Sequence, residues 1–139
     1  MSTAKAVLLV GGLGTRLRPL TYEAPKPLAP VANRPLVTYS LRMLRRGGVD
    51  EAILASGYMY EMLQDAFAVE DPELPKVRVA VEHEALDTAG AVRNSLDAAD
   101  GPFVVMNGDQ IMDVDVAALL RSHAEREADV TIVVRHVPD

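Results

Sequence analysis

Cysteine is absent from the 139 residues, which removes disulfides and thiolate metal sites and excludes a small secreted domain held by cross-links. Stability must therefore come from packing, and a chain of this length that is 49% apolar can bury one core. Long hydrophobic runs are missing too. The apolar stretch nearest the N-terminus, Ala6–Val10, is too short for the core of a signal peptide or for a membrane span, so the expected location is cytoplasmic, with no membrane partner. No internal repeat, low-complexity tract or linker interrupts the sequence. An excess of positive charge is also lacking. The net charge is −6, whereas a nucleic-acid-binding chain would be basic, so no nucleic-acid partner is expected.

The charge is nevertheless uneven. Eight of the 14 Lys and Arg residues lie at or before Arg46, where Glu23 is the single acid, and nineteen of the 20 Asp and Glu residues follow. An acidic chain whose cations gather in its first third focuses attraction on one small anion. Arg42, Arg45 and Arg46 fit a solvated helix face. Arg16 and Lys26 lie in segments without helical periodicity.

Arg16 belongs to the stretch Leu9-Val10-Gly11-Gly12-Leu13-Gly14-Thr15-Arg16-Leu17-Arg18-Pro19-Leu20, where an apolar strand runs into a glycine-rich turn. Gly11, Gly12 and Gly14 can bring backbone close to a ligand, and Arg16 and Arg18 supply donors suited to phosphate oxygens. Two familiar glycine loops do not fit. A P-loop would close with Gly-Lys-Ser or Gly-Lys-Thr, but Gly14 is followed by Thr15-Arg16. A dinucleotide fingerprint would need a small residue at Leu17 and an acid closing the second strand, where Ser56-Gly57-Tyr58 stands. Downstream, Pro25-Lys26-Pro27 places a lysine between two prolines. Each proline fixes its own φ and biases its predecessor towards extended geometry, so Lys26 is expected on a stiff, extended rail.

The remaining pattern alternates strands and helices. Strands are predicted over Lys5–Val10, Glu51–Ser56, Lys76–Glu82, Phe103–Met106 and Asp129–Val137. Helices are predicted over Leu36–Arg46, with Pro35 in its first turn and Gly47-Gly48 as its stop, then over Met59–Val69, Thr88–Ala99 and Val114–Glu127, the last capped by Asp113. This order implies an α/β fold, a Rossmann-like three-layer αβα arrangement with a mostly parallel sheet and ligands at the carboxyl ends of its strands. Gly11 and Asp109 would each follow such an end, and Glu82 would close a third. Taken alone, Asn107-Gly108-Asp109 reads better as a turn.

Taken together, Gly-Gly-x-Gly-Thr-Arg-Leu-x-Pro-Leu-Thr, Pro-Lys-Pro-Leu and Pro-Val-x-Asn-x-Pro-Leu, followed by Glu82–Ala91 and Asn107-Gly108-Asp109, resemble the sugar-1-phosphate nucleotidylyltransferases, and among them the mannose-1-phosphate guanylyltransferase-like members. The resemblance implies that 1–139 is the nucleotide-binding part of a nucleotidyltransferase domain whose sugar-binding part is not in this chain. It implies a reaction in which a sugar 1-phosphate oxygen attacks the α-phosphorus of a nucleoside triphosphate in line and pyrophosphate leaves. Under it Arg16 meets the β- and γ-phosphates and Lys26 the α-phosphate region, while Asp109 holds Mg2+. The nucleotide would contact Leu9, Gly11, Gly12, Gly14, Thr15, Arg16, Lys26, Glu82, Asp87, Thr88 and Gly108. Asp113 and Asp115 have a sufficient structural task at a helix start and stay outside the metal set.

One residue departs from the family pattern: Asp87 stands where Glu-x-x-x-Leu-Gly-Thr-Ala-Gly has its glycine. Guanine presents adjacent N–H donors that a carboxylate can accept, whereas uracil and thymine present one donor flanked by acceptors. Glu82 and Asp87 therefore favour GTP, with Asp87 as cap of the following helix the competing reading and UTP or dTTP the alternative nucleotides. His83 reads as a solvated strand residue. A non-catalytic nucleotide-sensing subunit is the rival function, and a homo-oligomer is compatible with all of these. The sugar stays open among mannose, heptose and glucose derivatives.

Overall fold

The computed structural model describes residues 4–96 and 101–137. Four parallel strands form the central sheet: β1 (Ala4–Leu9), β4 (Val49–Ser56), β5 (Lys76–Val81) and β6 (Phe103–Asn107), in the spatial order β5-β4-β1-β6. Between β1 and β4 the chain inserts the antiparallel pair β2 (Pro30–Val31) and β3 (Arg34–Pro35). Helices α1 (Leu36–Arg46), α2 (Tyr60–Ala66), α3 (Asp87–Ser95) and α4 (Val116–Glu125) complete the elements.

The alternation of β1 divides the core between two layers. Ala6, Leu8 and Val10 face a cluster with Val37, Leu41 and Leu44 of α1 and Val116 of α4. Val7 faces the other way, with Ile53, Ala55, Ala80 and Ala91 of α3. A strand buried on both faces reads as a continuous apolar run, as Ala6–Val10 does. In α1 the positions 37, 41 and 44 fall on one helical face and are fully buried. Its C-terminus is held at Gly47, whose N–H donates to the carbonyls of Met43 and Leu44, and Arg45 and Arg46 complement the dipole there.

Five expectations need correction. No strand forms over 129–137: these residues lie in no helix or strand, and Val130, Ile132 and Val134 are exposed. Alternation marks a surface that could be half-buried, but a strand also needs a partner, and these residues pair with neither outer strand of the sheet, β5 or β6. The α4 cap is Asp115, not Asp113; its carboxylate accepts from the Ala118 N–H at 2.9 Å. The helix starts there because Val116, 3% exposed, packs where Gly47 has no Cβ. Lys26 is not on an extended rail but opens a 3-10 turn, Lys26–Leu28, in which Pro27 occupies a position that needs no N–H. Asp87 caps nothing: α3 has no side-chain cap. The helix expected to reach Ala99 ends at Ser95 because Leu96 is extended, and 97–99 lie outside the described residues. The hairpin β2–β3 was not anticipated; Ala32 and Asn33 both have positive φ, 47° and 62°, the requirement of a tight two-residue turn, but without the glycine that usually signals it.

The sheet order has one consequence for function. From β1 the chain winds outward through β4 to β5, then crosses back so that β6 lies on the other side of β1. The carboxyl ends of β1 and β6 therefore flank a crevice where ligands bind in such sheets. Gly108 closes the floor of this crevice. Its N–H donates to the Leu9 carbonyl at 3.1 Å, and a Cβ there would collide with Val10 Cγ1. Gly108→Ala is expected to cost about 1–3 kcal/mol in urea unfolding, and the penalty should shrink in a Val10→Ala background. An equal penalty in both backgrounds would place the strain elsewhere.

Candidate functional site

The chain leaves β1 at Val10, whose N–H is still held by the Ala55 carbonyl at 3.1 Å. Beyond it, none of the backbone N–H groups from Gly11 to Arg16 meets an acceptor among the described residues. Six consecutive unclaimed donors on an exposed loop make a concavity suited to an anion. The loop then turns at Gly14, φ +62°, into a 3-10 turn over Thr15–Leu17. Only glycine fits at Gly14, since a Cβ there would lie 2.8 Å from Thr21 Cγ2 and 3.1 Å from Lys26 Cβ. Three stretches of chain meet at this point: the glycine loop, the Thr21 turn and the lysine turn.

Lys26 is positioned by flanking prolines that are both buried. Its Nζ donates to Asp109 Oδ2 at 2.6 Å, bridging 83 residues of sequence. Asp109 is set by the end of β6 through Gly108. The two charged groups are 25% and 39% exposed at the side chain, so solvent screens the pair and its contribution to stability is small, of the order of 0–1 kcal/mol. Arg16 makes no ion pair or hydrogen bond with any described residue. Arg18 instead stacks over the Tyr22 ring, 5.1 Å from its centroid, and is not part of the lining. Arg42 and Arg45 pair with Glu73 and Asp50, as befits a solvated helix face.

All of this opens on one cleft of about 1070 Å³ across the carboxyl ends of the sheet. Arg16, Lys26 and Asp109 line it together, with Leu9, Gly11, Gly12, Gly14 and Thr15 at the β1 end. The β5 end contributes Glu82, Asp87 and Thr88, and His83 and Glu84 also face the space. Gly108 does not line it but packs beneath. Glu82 is anchored by its N–H, which donates to the Ser56 carbonyl at 3.0 Å, and the chain passes tightly here, since a Cβ on Gly57 would lie 2.5 Å from the Glu82 carbonyl oxygen. Asp87 holds φ +54°, in the left-handed region that glycine adopts freely and Asp tolerates better than most residues. The cleft is electrically divided, with cations under the glycine loop and carboxylates two strands away, a separation of roughly 10 Å from the spacing of neighbouring strands.

Sequence reasoning missed Tyr58, Asn107 and Gln110, which also line the cleft. Tyr58 and Asn107 stand at the carboxyl ends of β4 and β6, and the topology rule alone could have flagged them. Among the described residues no group of three His, Cys, Asp or Glu side chains gathers as a ready metal site. No described helix is long and apolar enough to cross a membrane.

Comparison with known proteins identifies a family and several relatives. A family model described as nucleotidyl transferase matches residues 5–139. The chain is 34% identical to a D-glycero-alpha-D-manno-heptose 1-phosphate guanylyltransferase of Aneurinibacillus thermoaerophilus, over 94% of this chain and 57% of that protein. It is 39% identical to the mannose-1-phosphate guanylyltransferase catalytic subunit beta of Xenopus tropicalis, over 97% of this chain and 39% of that protein. The crystal structure of HddC from Yersinia pseudotuberculosis superposes with a TM-score of 0.72 at 32% identity, over 86% of this chain and 54% of that one. The chain thus spans about half the length of these relatives, or less.

If the Lys26–Asp109 contact is poised for a ligand and is not a structural tie, Asp109→Asn should change the unfolding free energy of the ligand-free protein by less than about 1 kcal/mol. A denaturant titration that shows a several-fold larger loss would make the pair structural.

Proposed function

The chain belongs to the nucleotidyl transferase family, and from that premise we propose that it binds GTP with Mg2+ and provides the nucleotide half of a transfer of GMP to a sugar 1-phosphate. The observation that carries this reading is the meeting of six unclaimed backbone donors, Arg16, Lys26 and Asp109 on one side of a single cleft. The triphosphate lies along the glycine loop, its terminal phosphates held by backbone N–H groups and Arg16. Lys26 leaves Asp109 for the α-phosphate. Parting the pair costs little, since a screened surface pair contributes at most about 1 kcal/mol.

The donor set fits magnesium. Mg2+ takes one or two carboxylates beside phosphate oxygens and water, so the freed Asp109 would hold it together with the bound phosphates. The ion would neutralise charge on the transferring phosphoryl group. The attacking oxygen of a sugar 1-phosphate is already an anion, so the protein has no proton to remove. Its residues hold two negative reactants in line and offset the charge that develops on the leaving pyrophosphate. At the β5 end, Glu82 and Asp87 accept from the adjacent N–H donors of guanine. The guanylyltransferase relatives support this choice of base, and their names indicate mannose or a manno-heptose as the sugar.

Calorimetric titration with each nucleotide plus Mg2+ tests the base: GTP should bind at least about tenfold tighter than UTP or dTTP, a difference of 1.4 kcal/mol. Equal affinities or a preference for UTP would overturn the assignment. Pyrophosphate release with GTP and mannose or manno-heptose 1-phosphate tests the transfer. Lys26→Ala and Asp109→Ala should each lower the rate about a hundredfold or more, and retention of the rate by either would remove that residue from the mechanism.

A further inference from the structure

Thr21 is a buried polar residue in a stretch that otherwise lies on the surface. It is 2% exposed, while its neighbours Leu20 and Tyr22 are 61% and 60% exposed. Its hydroxyl donates to the Gly14 carbonyl at 2.7 Å. The same carbonyl accepts the Leu17 N–H at 2.9 Å, so both of its lone pairs are engaged and the Gly14–Thr15 peptide plane cannot rotate without breaking two hydrogen bonds. In a trans peptide the C=O and the following N–H point in opposite directions. Holding the Gly14 carbonyl towards Thr21 therefore holds the Thr15 N–H away from it, among the unclaimed donors of the loop.

The same side chain packs against the loop that it holds. Thr21 Cγ2 and Lys26 Cβ both press on the bare α-carbon of Gly14, at 2.8 Å and 3.1 Å from where a Cβ would stand. The loop, the threonine and the lysine stem are thus packed in fixed relation. Tyr58 adds a third anchor, its hydroxyl donating to the Thr21 carbonyl at 3.4 Å from the end of β4.

We propose that Thr21 is a positioning residue for polyphosphate: through its hydroxyl it orients the Gly14–Thr15 peptide. It touches no substrate itself. The proposal rests on the reading that GTP lies with its terminal phosphates on this loop, and the two can fail separately.

The test compares Thr21→Val, which keeps the shape and loses the donor, with Thr21→Ser, which keeps the donor. Affinities for GTP and for GMP, each with Mg2+, are measured by calorimetry on the 139-residue chain beside its melting temperature. Thr21→Val should weaken GTP about tenfold, or 1.4 kcal/mol, and leave GMP within about threefold, while Thr21→Ser stays within about threefold of wild type for both. A structural role alone would weaken both nucleotides together and leave their ratio unchanged. That result, or a GTP-to-GMP ratio in Thr21→Val equal to wild type, overturns the proposal while the GTP reading stands. A wild-type chain that binds GMP as tightly as GTP overturns both. Should Thr21→Val not fold, Thr21→Cys, a weak donor of similar size, must show the same selective loss of GTP.

Discussion

The parallel pairing of β6 with β1, in register from Lys5–Phe103 to Leu9–Asn107, is the constraint on which the cleft depends. It brings Asp109 to the side of β1 opposite β4 and so places a carboxylate beside a glycine loop that left the sheet nearly a hundred residues earlier. Without that crossover the two would lie on separate edges. Gly108 enforces the match, since the bare α-carbon lets the end of β6 settle against Val10. A packing requirement in the core thereby becomes a requirement on the positions of charges at the rim.

Lys26 and Asp109 are arranged so that they neutralise each other and part easily, while Arg16 carries its charge on the same side of the cleft. Lys26 and Asp109 satisfy each other at 2.6 Å, which spares each an unpaired position near apolar chain. Because both remain partly wet, their separation costs little. A buried version of the same pair would be harder to part, since removing one partner from a desolvated pair strands the other at several kcal/mol. Moderate exposure is therefore a condition of use, and it explains why the pair adds little to the fold and yet occupies its most constrained corner.

What could be read from the sequence follows the range of the forces involved. The glycine loop and the Pro35-to-Gly47 helix are local patterns, each present with about its expected bounds, whereas the Pro-Lys-Pro segment forms a 3-10 turn in place of the expected extended rail. The α/β class and the parallel sheet follow from the alternation of such patterns. The errors lie where a distant partner decides. Asp115 and not Asp113 caps α4 because Val116 must reach Gly47. Residues 129–137 alternate like a strand but pair with no described strand, although β5 and β6 both end the sheet. The hydrogen bond from Thr21 to Gly14 joins residues only seven apart, yet its importance depends on Lys26 and Tyr58 converging on the same point. Nothing in the spacing of those residues announces that convergence.

Asp87 departs from a family pattern at a position where this chain holds a left-handed backbone. The pattern has glycine at this position, and the chain still adopts a glycine-like φ of +54° there. An L-residue in that region is strained by about 1–2 kcal/mol, less for Asp, whose short polar side chain tolerates it. No hydrogen bond or ion pair with a described residue offsets the strain. The carboxylate is instead left lining the cleft, on the side away from Arg16 and Lys26. A residue that served the fold alone would be better as glycine. A residue whose carboxylate accepted from a bound base would regain in the complex what it forfeits in the free chain.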